Sequence, residues 1–204
     1  MAILPETITQ PAAFSSLLHR YTLEEFFALP DPEDRAHYEL IGGFLFMAPP
    51  PDPPHGDVDD YLCASLQRFL DAHGRPGRVY HPREAIYIDD TYLEPDMMYV
   101  SNELRARMGE HRTSADIVFE YLSKSTAVYD RTTKADTYLA LGVRELWLID
   151  IESRTIEVRH RVEPEAAEAL PRWQAISYGA GEQAESRVLA GWRVSVDELF
   201  AGLV

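Results

Sequence analysis

Cysteine is almost absent. Cys63 is the one cysteine in 204 residues, so no intramolecular disulfide can form, and the expected setting is cytoplasmic. Lysine is nearly as scarce: the 19 cations are 17 Arg and two Lys, Lys124 and Lys134. Cations as a whole are outnumbered by 34 acids, and the formal charge of −15 excludes a protein that coats nucleic acid by charge alone. It leaves room for an enzyme with a small local cationic site. No apolar run approaches the ~18–20 residues of a membrane span, so no membrane partner is expected. Met1 to Gln10 carries Glu6 and no cation, unlike a secretory signal.

Apolar residues make up 46% of the chain and charged residues 26%, enough for a hydrophobic core without metal or disulfide staples. The length suits one domain. Residues 1–20 lack clear periodicity and read as an extension, leaving 21–204 as the domain. Thr22 and Glu25 form a capping box that starts a short helix ended by Pro30 and Pro32. Tyr38 to Ile41 and Phe44 to Met47 flank Gly42-Gly43, the pattern of a hairpin. Pro49 to Pro54, five prolines in six residues, is a stiff loop. His55 to His73 carries Val58, Leu62, Leu66, Phe69 and Leu70 at helical spacing.

Further strands are expected at Val79 to His81, Ala85 to Ile88, Met97 to Val100, Asp116 to Leu122, Glu145 to Ile149, Thr155 to Val158, Trp173 to Tyr178 and Val188 to Leu189. Helices are expected at Ser101 to Met108, Tyr129 to Leu141 and Ser195 to Phe200. Arg161 to Leu170 reads as a loop or weak helix. The class is α/β (α+β), with one mixed sheet built from the strands around Glu39, Ile86, Met97, Glu120 and Leu148.

Glu120 is the most informative position. Strand alternation places it on one face with Val118 and Leu122. A lone buried carboxylate there costs several kcal/mol in rough terms unless it is paired or binds a metal. Asp96 opens a strand directly after Pro95, where it can project from the sheet end; the plainer reading is a turn residue. The interval from Asp96 to Glu120 holds one helix, so the two can lie on adjacent strands. With the Tyr121 backbone carbonyl they would form an all-oxygen site suited to Mg²⁺ or Mn²⁺. Lys134 lies in the helix after Glu120. Its spacing from Asp130 allows a plain surface pair. Its rarity points instead to a site role, since a flexible ammonium can serve as a compact charge on a phosphate.

Tyr38-Glu39-Leu40-Ile41, the proline loop ending at His55, Glu94-Pro95-Asp96, Phe119 to Thr126, Asp130-Arg131 with Lys134, and Gly142 to Asp150 recur in one order. Taken together this set resembles the Uma-two family of restriction-endonuclease domains, within the PD-(D/E)xK nuclease superfamily. The resemblance covers roughly Tyr21 to Val158. It implies a restriction-endonuclease-like sheet flanked by helices, a divalent metal, and hydrolysis of DNA phosphodiester bonds. It maps the PD aspartate onto Asp96 and the second acid onto Glu120. It assigns the lysine, displaced from position 122 (Leu122 here), to Lys134, and makes Glu39 an early third carboxylate.

Two departures stand out. After Ile41 the family commonly reads Asp-Gly-Glu, whereas this chain has Gly42-Gly43-Phe44, which removes two carboxylates near the expected site. Lys124 stands where Pro is common. The leading reading is a Mg²⁺- or Mn²⁺-dependent endonuclease with DNA as partner, and duplex cutting, which needs two sites, is the ground for expecting a homodimer. The first departure and the net charge motivate a second reading, a non-catalytic binding or assembly module of the same fold. A hydrolase of small phosphoesters is a third.

Overall fold

The computed structural model describes residues 19–32, 36–48, 50, 54–124, 126–165 and 169–203. The extension read for residues 1–20 lies almost wholly outside these residues, as does most of the proline loop.

Two sheets carry the fold. The larger has six strands in the order β10-β9-β8-β7-β6-β3: β3 (Gly77–Tyr80), β6 (Met97–Ser101), β7 (Ile117–Leu122), β8 (Glu145–Asp150), β9 (Thr155–Val162) and β10 (Arg172–Tyr178). Strands β7 and β8 are parallel and the other pairs antiparallel. The smaller sheet has the order β2-β1-β5-β4: β1 (His37–Ile41), β2 (Phe44–Ala48), β4 (Ile86–Ile88) and β5 (Thr91–Leu93). A third pairing joins β11 (Gln183–Glu185) to β12 (Arg193–Ser195).

The strands around Glu39 and Ile86 therefore belong to a separate sheet, not to the one holding Met97, Glu120 and Leu148. The separation follows from β5, a three-residue strand too short to show a period, which pairs with both β1 and β4. Val188 to Leu189 is not a strand. It lies in the turn between β11 and β12, with Ser186 and Trp192 bonded across it.

The central sheet is covered on both faces, which is why β7 is buried at all six positions. On one face Ile117, Phe119, Tyr121, Trp147 and Val158 pack against Val58, Leu62, Leu66 and Leu70 of helix α2 (Pro54–Ala72). On the other face Met98, Val118, Leu122, Leu146 and Leu148 pack against Ala135 and Tyr138. The last two come from a helical rod after β7, built from α4 (Ala127–Tyr129), a π-helical turn (Asp130–Lys134) and α5 (Ala135–Ala140). The remaining helices are α1 (Leu23–Phe27), α3 (Asn102–Met108) and α6 (Val196–Leu199). Among the described residues no helix is long and apolar enough to cross a membrane.

Candidate active site

Antiparallel pairing of β6 with β7 sets Met97 opposite Phe119 and Met98 opposite Val118. One step further along this register puts Asp96 opposite Glu120, and directly opposed residues share a sheet face. That face is the one covered by the helical rod. Asp96 Oδ2 also accepts the Tyr121 N–H at 2.7 Å, which ties the end of β6 to β7. The interval between the two acids holds α3, one helix as its length required.

The rod supplies the cation. In its π turn Asp130 and Lys134 are both buried. A π turn widens the helix by one residue and frees backbone groups; here the Thr132 hydroxyl donates to Val128 O (2.6 Å) and the Thr137 hydroxyl to Thr133 O (2.7 Å). On the rod's other side Arg131 pairs with Asp150 and Glu157 and holds it against β8 and β9. Lys134 Nζ thus lies 2.8 Å from Glu120 Oε1, 3.2 Å from Glu39 Oε1 and 3.8 Å from Asp130 Oδ1. Asp130 and Lys134 do not form the plain surface pair that their spacing allows, because the smaller sheet lies over them and delivers Glu39 from β1.

Two tyrosines complete the network. Tyr138 donates to Glu120 Oε1 at 2.5 Å and Tyr129 to Glu39 Oε2 at 3.2 Å. Glu39 Oε1 also accepts the Glu94 N–H at 3.1 Å. Behind the site, Tyr121 donates to Asp59 Oδ1 at 2.8 Å. Sequence reasoning missed both rod tyrosines, since an aromatic ring in an amphipathic helix reads as core. A signal was present: Asp130, Lys134 and Tyr138 recur every four residues and form one polar stripe.

These groups open into a cleft of about 110 Å³ lined by Glu39, Glu94, Asp96, Glu120, Asp130 and Lys134, with His37 and His55 at its side. Burial alone would depress the Lys134 ammonium, but the Glu120 and Glu39 carboxylates outweigh it and hold the pKa well above the usual lysine range. Lys134 is therefore a fixed positive charge in this arrangement. Loss of solvation pushes Asp96 up to about 6, against the pull of Lys134 and the Tyr121 N–H.

Other cations lie elsewhere. Lys124 is exposed and paired with Glu152 at 2.9 Å. Arg112 is paired with Glu84 and stacked over Tyr80, and Arg107 pairs with Glu103. Gly42 and Gly43, with φ of +56° and +80°, form the tight hairpin turn between β1 and β2. The turn is bonded to Tyr21 and Asp90, with the Arg20 side chain on Gly42 O. Residues 42–44 do not line the cleft. The departure at these positions falls outside the site.

A family model described as "Putative restriction endonuclease", Uma2, matches residues 23–197. The chain belongs to the Uma2 family. No curated protein matches it. Among solved structures it is similar to one described as "a putative nuclease belonging to DUF820 from Anabaena variabilis", with a TM-score of 0.69 and 20% identity, over 88% of this chain and 97% of that one. At that identity the likeness establishes the fold alone: a mixed α+β architecture with its sheets flanked by helices.

Within this Uma2 chain the oxygens are unevenly committed. Both Glu39 oxygens are taken, by Lys134, the Glu94 N–H and Tyr129. Asp96 Oδ1 and Glu120 Oε2 take part in none of the bonds described above. Among the described residues no three His, Cys, Asp or Glu side chains stand together as a metal cage. Two carboxylates with the Tyr121 carbonyl fit Mg²⁺ or Mn²⁺, which keep several waters and complete their shells with substrate phosphate. Five carboxylates around one ammonium also leave negative charge that a divalent cation would offset.

Proposed function

We propose that this cleft is the active site of a metal-dependent endonuclease that hydrolyses DNA phosphodiester bonds. The observation that carries the reading is the placement of a buried lysine 2.8 Å from Glu120, with Asp96 opposite Glu120 in the same sheet register. Membership of the Uma2 family, described as "Putative restriction endonuclease", supports it.

Asp96, Glu120 and the Tyr121 carbonyl would hold Mg²⁺ or Mn²⁺. Bound there, the ion would activate water and neutralise charge growing on a phosphoryl oxygen. Lys134 stays protonated and supplies positive charge to the attacked phosphate, so it acts as an electrostatic stabiliser rather than as a base. Glu39 holds and orients Lys134, and Tyr129 and Tyr138 fix the two glutamates. His37 and His55 border the path of the strand. Two copies would provide the two sites that a double-strand cut needs. The low cysteine count supports a reducing, cytoplasmic setting.

The test is cleavage of supercoiled plasmid with Mg²⁺ or Mn²⁺, beside RNA, single strands and nucleotides, with chelator as control. Metal-dependent nicking or linearisation is expected. No DNA cleavage with either ion would overturn the proposal, and turnover of nucleotides alone would replace it with a small-phosphoester hydrolase.

A further inference from the structure

The catalytic cleft does not end at its carboxylates. It shares His37, Glu94 and Asp96 with a hollow of about 380 Å³ to which Arg83 is added. That hollow shares His37, Arg83 and Glu94 with a groove of about 450 Å³ whose wall is aromatic, with Phe26, Phe27 and Tyr92. The three spaces adjoin, with lining residues in common.

The groove's chemistry is specific. Phe26 faces inward at 8% exposure, whereas its neighbour Phe27 is 59% exposed and can offer its ring to a ligand. Phe27 meets Phe26, Tyr87 and Tyr92 at interplanar angles of 68°, 88° and 89°, so none of these rings lies flat on it. Arg83 is exposed and is held in a turn at φ +73°. Among the described residues it forms no ion pair, unlike Arg112, which is tied to Glu84. Asp31 and Glu94 also line the groove, and Glu94 Oε1 accepts the Tyr92 hydroxyl. Those acids disfavour a phosphate inside the groove and leave a neutral planar group as the one that fits. At its junction with the cleft, beside Glu94, the Arg83 guanidinium can meet a phosphate and the His37 imidazole can hydrogen-bond to it.

We infer that the groove is a nucleobase subsite, in which an unpaired base of the bound strand stacks on Phe27 while Arg83 holds the phosphate that links it to the cleft. A base has a π-face whatever its identity, so such a subsite selects for strand opening rather than for sequence. The inference rests on the nuclease reading and names the form of its substrate: DNA with a single-stranded or extruded nucleotide beside the scissile bond.

The test is fluorescence anisotropy without divalent metal, comparing a short oligothymidylate with an abasic oligomer of equal phosphate number. Wild type should prefer the oligomer with bases by at least about 5-fold, the equivalent of one stacked base. Phe27→Ala should abolish the preference and Phe27→Trp should keep it. Arg83→Ala should weaken both oligomers alike. Lack of preference in wild type, including failure to bind either oligomer, would overturn the subsite, as would a preference that survives Phe27→Ala. Plasmid cleavage by the same preparation reports separately on the nuclease reading: cleavage without base preference sinks the subsite alone, and base preference without cleavage sinks the nuclease alone.

Discussion

Lys134 Nζ lies 2.8 Å from Glu120 Oε1, and each residue is at most 4% exposed. A pair this deep is costly to assemble and costlier to break, because removing one partner strands the other charge away from water. A π turn that carries Lys134, the Tyr138 hydroxyl on Glu120 Oε1 and Glu39 from the second sheet hold it in place.

Lys134→Met should therefore lower stability by about 3–5 kcal/mol, the range for breaking a buried pair. The double variant Lys134→Met/Glu120→Gln should recover part of that loss, since neither site then carries an unpaired charge. Urea unfolding of the two variants and wild type checks this. Equal stability of single and double variants would show that the pair is not coupled.

Tyr138→Phe deletes the hydroxyl that donates to Glu120 Oε1 at 2.5 Å. Hydrogen bonds to charged groups contribute about 1.5–3 kcal/mol, and a loss of that size is expected in urea unfolding. Tyr129→Phe, whose hydroxyl meets Glu39 at 3.2 Å, should cost less.

Glu145 predicts a pH dependence from outside the site. It is buried, which alone would raise its pKa, but His160, Ser186, the Val188 N–H and Trp147 outweigh burial and lower it. A depressed carboxylate stabilises the fold above its ordinary pKa of about 4.5 and loses that contribution as pH falls through the folded value. Unfolding free energy of wild type should thus fall more steeply below pH ~4.5 than that of Glu145→Gln, which is less stable at neutral pH. Parallel curves would contradict the assignment.

Gly42→Asp restores the residue common in relatives. Aspartate tolerates the left-handed conformation and Asp-Gly suits this hairpin turn. Residue 42 is part-buried with φ of +56°, so a loss of about 1 kcal/mol is expected in urea unfolding. Plasmid cleavage should be unchanged, because the turn does not line the cleft. A marked gain in cleavage would place residue 42 in the site after all.

The acids of the site were legible in the sequence through contrast. Glu120 interrupts an apolar strand, Asp96 follows a proline at a strand start, and Lys134 is one of two lysines. The hairpin and α2 were equally plain, because turn chemistry and helical period are local signals. Pairing between distant segments was not. Nothing local in β5 says that it links β1 to β4 and so builds a second sheet over the rod. That sheet is what buries Lys134, so the difference between a surface pair and a site ion pair is a long-range fact. The π turn was hidden for a related reason, since its extra residue is fixed by what Lys134 and Asp130 pack against.

Asp96 and Glu120 are proposed to hold one divalent cation between them. Calorimetric titration with Mn²⁺ of wild type, Asp96→Ala and Glu120→Ala tests it most directly. One site in wild type, lost in both variants, is the predicted result. No binding to wild type at millimolar Mn²⁺, or binding that persists in either variant, would contradict it.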